Sequence, residues 1–197
     1  RPLSSDRLVE EDLPLISELI ERHDVVVMGM GLGTDEKTFA AIRKIVPLCT
    51  KAVIDADALS PVLLPLLNKN VILTPHAGEM KRISGMDVPD GNEKADFVMK
   101  FARENNVTVL LKGAVDIISD GIEVRANRTG NAGMTVGGTG DVLAGLTGAL
   151  FAKHDALSAA SAAAFINGAA GDMAFLEFGY GLLATDVIDC IPKVMKT

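Results

Sequence analysis

The sequence predicts an α/β fold: a mostly parallel central sheet with helices on both faces and an antiparallel hairpin at its edge. Three observations carry that expectation. Short apolar runs at 24–28, 51–55, 71–74 and 107–111 are rich in Val, Ile and Leu, as in strands buried on both faces. Segments with helical patterning separate them, and such alternation means βαβ units around a parallel sheet. Residues 116–119 and 122–125 then flank Asp120-Gly121, a strong hairpin signal.

Taken in order, residues 10–22 read as an amphipathic helix leading into the first strand, where Val25-Val26-Val27-Met28 shows no alternation. Helices follow at 36–45, 60–67, 78–84 and 92–105, each between two strands or beside one. After the hairpin the chain turns helical. A glycine run at 137–140 precedes the apolar stretch 142–151, and the Ala/Gly/Ser-rich stretch 157–174 predicts a closely packed, buried helix or helix pair. No internal repeat, low-complexity tract or interdomain linker interrupts the chain.

With 197 residues, 48% of them hydrophobic, the chain suits a single domain (1–197) with a substantial core, large enough for an enzyme. A formal net charge of -7 with no Lys/Arg cluster excludes a nucleic-acid footprint, so anionic ligands have to be held by local devices. Cys49 and Cys190 stand far apart in no metal-ligand spacing and read as reduced thiols of a cytoplasmic protein. No secretory signal opens the sequence. The weakly polar stretch 142–175 is broken by Lys153-His154-Asp155, and its first apolar part is too short to span a bilayer, so no membrane partner is expected. The chain begins at Arg1-Pro2 without an initiator Met, which suggests an upstream segment removed or left out.

Chemistry concentrates at Gly137-Gly138-Thr139-Gly140-Asp141. Glycines at the start of a helix let the backbone approach a ligand and expose unpaired N–H groups at the positive end of the helix dipole, which makes a phosphate seat. Asp141 puts a carboxylate beside that seat, where it can take a proton from a hydroxyl meeting a phosphoryl group. Its bland reading is a carboxylate that complements the helix dipole. Further signals sit at the carboxyl ends of the strands, where open parallel sheets bind ligands. These are Gly29-Met30-Gly31-Leu32-Gly33, Asp55-Ala56-Asp57, Thr74-Pro75-His76-Ala77-Gly78-Glu79 and Lys112-Gly113.

The first glycine loop is neither a P-loop nor a dinucleotide fingerprint and reads equally as a turn or a substrate-facing loop. His76 is either a satisfied helix-start residue or a ligand-facing one. Glu79 supports the first turn of its helix or holds a hydrated Mg²⁺ beside nucleotide phosphates. Lys112 is the natural cation for a polyphosphate, with Gly113 letting the backbone close around a nucleotide. His23 and His154 sit among charges and read as solvated. Asn167, inside the alanine-rich helix, is a buried amide bonded to backbone or a residue facing the nucleotide base, and the sequence leaves both open.

Four strings, DADAL (55–59), LTPHAGEM (73–80), LLKGA (110–114) and GNAGMTVGGTGDVLAG (130–145), resemble the ADP-dependent NAD(P)H-hydrate dehydratases of the ribokinase-like superfamily. The resemblance implies a ribokinase-like three-layer sandwich. It implies an enzyme that repairs hydrated nicotinamide cofactors, phosphorylating the hydrate hydroxyl from ADP (or ATP) with Mg²⁺ and eliminating phosphate to regenerate NADH or NADPH. It assigns Asp141 to that hydroxyl, and Gly138, Thr139 and Gly140 to the transferring phosphoryl. Lys112, Gly113, Ala114, Val115, Asp116 and Gly140 fall to the AMP part of the nucleotide, Gly31 and His76 to the hydrated dinucleotide, and Glu79 to Mg²⁺ through water.

The chain departs from the family pattern at Met30, Ala77 and Ala132, where proline is usual, and at Asp116, where Thr is common. The first three alter loop stiffness, not reactive groups. The resemblance further implies a homo-oligomer. It also implies a domain that ordinarily starts earlier than this chain, so that the chain is N-terminally incomplete, with an epimerase domain or partner before it in many prokaryotic members. Two rival functions fit the same residues: a hydroxymethylpyrimidine or thiazole-type kinase, which leaves its phosphate on an alcohol, and a noncatalytic nucleotide-binding subunit.

Overall fold

The computed structural model describes residues 7–196, and Arg1-Pro2 lies outside the described residues. Among them, β1 (Val26–Met28), β2 (Ala52–Ile54), β3 (Val71–Leu73), β4 (Thr108–Leu111), β5 (Asp116–Ser119) and β6 (Val124–Asn127) form one sheet in that spatial order. The first four strands are parallel, and β5 and β6 extend the sheet antiparallel from β4.

A sheet whose parallel strands run in sequence order has its crossovers on one face, because right-handed connections always step the same way. That face carries α1 (Leu13–Ile20), α2 (Glu36–Ile45), α3 (Ala77–Ser84) and α4 (Glu93–Asn105). It buries Ile54, Leu73, Val109 and Leu111 with Ile42, Met80 and Val98. The intervening strand residues Val53, Ile72, Leu110 and Ile118 point to the other face, against α5 (Thr139–Phe151) and α6 (Ala156–Phe178). The period of two along each strand thus fills two cores, giving the three-layer arrangement. The last helix, α7 (Ala184–Val194), packs on α6 and α5.

Two elements differ from expectation, and a third settles an alternative the sequence left open. The predicted helix at 60–67 is a 3₁₀ helix, Pro61–Leu66, because Pro65 inside it has no N–H for an α-helical bond. The second hairpin strand begins at Val124 instead of 122: the Asp120 carboxylate accepts from the N–H groups of Ile122 and Glu123, 2.9 Å each, and stretches the turn to four residues. The Ala-rich stretch is one helix, not a pair. By length and composition Ala156–Gly181 is apolar enough to cross a membrane, but half of its most apolar window is buried in the protein, as in a core helix. Cys49 and Cys190 are both free thiols, and burial pushes the Cys49 thiol up to about 11.

Candidate active site

The carboxyl ends of β3 and β4 are drawn together beyond the strands themselves. His76 and Lys112 form an isolated parallel bridge, and the Lys112 N–H donates to the Pro75 carbonyl at 2.8 Å. His76 is the N-cap of α3: its Nδ1 accepts from the N–H groups of Gly78 (2.9 Å) and Glu79 (3.2 Å), while Glu79 Oε2 accepts from the His76 N–H at 2.7 Å. This reciprocal capping box uses His76 Nδ1 as an acceptor, so the neutral ring carries its proton on Nε2. That Nε2 lies 3.4 Å from Glu79 Oε1, with the His76 side chain 58% exposed. His76 thus closes the helix start and also lines the cavity.

Lys112 is not a free cation. Its Nζ donates to Asp55 Oδ1 at 2.7 Å and lies 3.7 Å from Glu79 Oε2. Asp55, at the end of β2, is buried and faces the ammonium. The end of β1 is clamped against this carboxylate-bearing loop. Gly29, at φ 133°, stands where a Cβ would overlap the Asp55 carbonyl oxygen, so only glycine fits. The Asp57 carboxylate then accepts from the Gly33 N–H at 2.9 Å. Arg82, from α3, donates to the carbonyls of Leu59 (2.8 Å) and Ala56 (2.7 Å), holding Ala56 at its left-handed φ of 49°.

The start of α5 supplies the anion seat. Gly138 is its N-cap at φ 95°, a backbone region that favours glycine, and no side chain caps the helix. The first N–H groups therefore have no partner within the helix. The Thr139 hydroxyl is shared between the carbonyls of Met134 (2.8 Å) and Val136 (3.0 Å), so it braces the preceding loop. A Cβ at Gly140 would come within 3.7 Å of Lys112 Nζ, which puts the ammonium beside this helix start.

A cavity of about 750 Å³ opens between these parts, a size suited to a nucleotide-sized ligand. Of the residues singled out from sequence, His76, Lys112, Gly113, Ala114, Asp116, Thr139, Gly140 and Asn167 line it. Gly31, Glu79, Val115, Gly138 and Asp141 do not. Asp141, next to the lining residue Gly140, is exposed, as is Gly31 at the end of β1. Only the β3 and β4 ends reach the lining directly, and the ends of β1 and β2 connect to it through Asp55 and Lys112.

Asp116 acts as a strut. It accepts from the Gly113 N–H (3.0 Å) and from Asn127 Nδ2 (3.0 Å). Burial raises its pKa above the usual carboxylate value, opposed by those two hydrogen bonds and by the nearby charges of Lys94 and Lys112.

Sequence reasoning assigned no role to Asp55 as the partner of Lys112, nor to Thr129 and Asn131, which line the cavity from the loop after β6. Asn131 stands before Ala132-Gly133, and its Oδ1 accepts from the Gly133 N–H at 2.9 Å, an Asx turn that its sequence context signals. For Asp55 the signal was its place at a strand end, but its partner lies 57 residues away.

Among the described residues no group of three or more His, Cys, Asp or Glu side chains could hold a metal ion. A donor set this sparse suits a Mg²⁺ ion held mainly by phosphates and water, with one carboxylate beside it, and does not suit an all-protein metal cage. Glu79, half committed to its cap and adjacent to Lys112, is the carboxylate at hand.

A family model described as NAD(P)H-hydrate dehydratase matches residues 3–193. A bifunctional NAD(P)H-hydrate repair enzyme from Archaeoglobus fulgidus is 43% identical over 195 residues, covering 99% of this chain and 40% of that one. An ADP-dependent (S)-NAD(P)H-hydrate dehydratase from Nitrosopumilus maritimus is 43% identical over 188 residues, covering 92% of this chain and 65% of that one. The chain thus spans less than half of the first relative's length. Among solved structures, an ADP/ATP-dependent NAD(P)H-hydrate dehydratase from Bacillus subtilis, co-crystallised with ATP and Mg²⁺, superposes with a TM-score of 0.79 at 27% identity over 94% of this chain and 69% of that one.

Proposed function

This chain belongs to the NAD(P)H-hydrate dehydratase family and has a ribokinase-like fold, and we propose that it catalyses the nucleotide-dependent dehydration of NAD(P)H hydrate, acting as one domain over residues 1–197. The observation that carries this reading is the uncapped start of α5, open to the cavity with the Lys112 ammonium beside it. Uncompensated N–H groups and a cation around a nucleotide-sized space suit a transferring phosphoryl group.

The nucleotide, ADP or ATP, occupies the cavity against Lys112, Gly113, Ala114 and Asp116, with Val115 just outside the lining. Its terminal phosphoryl meets the N–H groups at Gly138, Thr139 and Gly140. The hydrated dinucleotide approaches from Gly31 and His76. Asp141 takes the proton from the hydrate hydroxyl as its oxygen attacks the phosphoryl group, and the bond to the departing nucleotide oxygen breaks, giving AMP when ADP is the donor. The C–O bond of the phosphorylated hydrate then breaks, inorganic phosphate leaves with the bonding pair, and a proton lost from the neighbouring ring carbon restores the double bond. Glu79 is the carboxylate that would hold Mg²⁺, which would supply charge to neutralise phosphate oxygens there.

The protein is assigned to the cytoplasm as a metabolite-repair enzyme. Self-association is supported by large apolar side chains exposed on α6, Phe165 and Leu176 among them, and an epimerase partner or domain by the bifunctional name of the Archaeoglobus relative. The decisive experiment incubates the protein with hydrated NADH, Mg²⁺ and either ADP or ATP and follows the reduced-nicotinamide absorbance. Recovery that requires nucleotide, with one phosphate released per AMP, supports the dehydratase. Accumulation of a stable phosphorylated product would instead identify a small-molecule kinase, and nucleotide binding with no turnover a noncatalytic subunit.

A further inference from the structure

One polar group on the α6 wall of the cavity is left without a partner. Asn167 lines the cavity next to Ala164 and Gly168, is 6% exposed, and its buried Oδ1 has no hydrogen-bond partner. Buried polar atoms are nearly always paired, because an orphan keeps the full cost of losing water. The helix that carries this one has little freedom to move it. A Cβ at Gly168 would overlap Thr129, and one at Gly171 would overlap Met134, so α6 is seated directly on the loop that forms the adjoining cavity wall. The Thr129 hydroxyl reaches the Phe165 carbonyl at 3.1 Å, and Asn131 Nδ2 donates to Asp172 Oδ1 at 2.8 Å, tying the loop to the helix on either side of Asn167.

We propose that Asn167 reads the nucleotide base and selects adenine through its 6-amino group, an inference that rests on the nucleotide-binding reading above. A carboxamide pairs with adenine through two adjacent hydrogen bonds: the oxygen accepts from the 6-amino N–H and the nitrogen donates to N7. That pairing satisfies the orphaned Oδ1 on a turn of the amide that brings this buried oxygen to the cavity surface. Hypoxanthine and guanine carry an oxo group at position 6, so the Asn167 oxygen would meet another acceptor. Turning the amide over would bond the oxo group but leave Oδ1 buried and unpaired again. Ala132, Met134, Val136, Leu143 and Ala164 give the cavity the apolar surface that the faces of a flat base require.

Calorimetric titration with ADP and with inosine diphosphate, in which an oxo group replaces the 6-amino group, tests this directly. The wild-type protein is expected to bind ADP about tenfold or more tightly than inosine diphosphate, the discrimination typical of a good bidentate base contact. Asn167→Leu, close in shape but without polar atoms, should bring the two affinities to within about twofold, mainly by weakening ADP. Asn167→Ser provides the same comparison should the leucine variant fail to fold, with thermal melting as the check on folding. Equal affinities in the wild type, or a preference for ADP that survives in both variants, would overturn the proposal. ADP binding without discrimination defeats only the role of Asn167, whereas no ADP binding at all defeats the nucleotide reading along with it.

Discussion

Lys112 Nζ donates to Asp55 Oδ1 at 2.7 Å, joining the ends of β4 and β2 across β3 and turning the ammonium towards the start of α5. Asp55 is 2% exposed. Removing the ammonium would therefore strand a buried carboxylate, a change that costs about 3–5 kcal/mol. Lys112→Met is expected to lower the melting temperature by roughly 6–20 °C for a domain of this size and to weaken ADP binding. Thermal unfolding measured with and without ADP checks both effects, and a variant that melts within about 2 °C of wild type would show that the pair contributes nothing.

Asp141 offers the opposite case. It is exposed at the start of α5 and lies outside the cavity lining, so its substitution should leave stability within about 0.5 kcal/mol. Asp141→Asn keeps the shape and removes the base. Turnover is expected to fall by about 10²–10⁴-fold, with nucleotide affinity changed by less than about threefold because the loss falls on the transition state. Steady-state kinetics paired with ADP titration reads the split, and unimpaired turnover would remove Asp141 from the chemistry.

Asp116 makes stability depend on pH. Its pKa is raised in the folded protein, chiefly by burial, so the folded state holds its proton more tightly than the unfolded chain, whose carboxyl titrates near about 3.9. The contribution of Asp116 is then fully present below that unfolded value and is lost as the pH rises through the raised folded value. Urea unfolding of the wild type and Asp116→Asn across this acid range should show the wild type losing stability relative to the variant as pH rises. A difference that stays flat or grows in favour of the wild type would contradict the raised value.

Much of this architecture was legible in the residue order. The strand runs, the α2 boundaries at Glu36 and Ile45, and the hairpin around Asp120-Gly121 follow from local patterning, since each depends on neighbours a few residues apart. The signal for the 3₁₀ helix was also present in Pro61 and Pro65, because proline removes the backbone donor that an α-helix needs. The hairpin register was harder to see. It turns on the Asp120 carboxylate binding two backbone N–H groups, which leaves Ile122 85% exposed against its β propensity.

By itself, then, the sequence determined the α/β class, the continuous apolar runs of strands buried on both faces, and the glycine-rich helix start, because all three arise from residue patterning and backbone freedom within short stretches. Only the tertiary structure decided that Lys112 is committed to Asp55, that His76 both caps α3 and lines the cavity, that Asp141 stands outside the lining, and that Asn167 lines the cavity while its buried oxygen is unpaired. Those outcomes depend on which distant segments the sheet and the glycine-mediated contacts of α6 bring within hydrogen-bond reach, and a hydrogen bond forms only over about 3 Å, a distance that spacing along the chain does not encode.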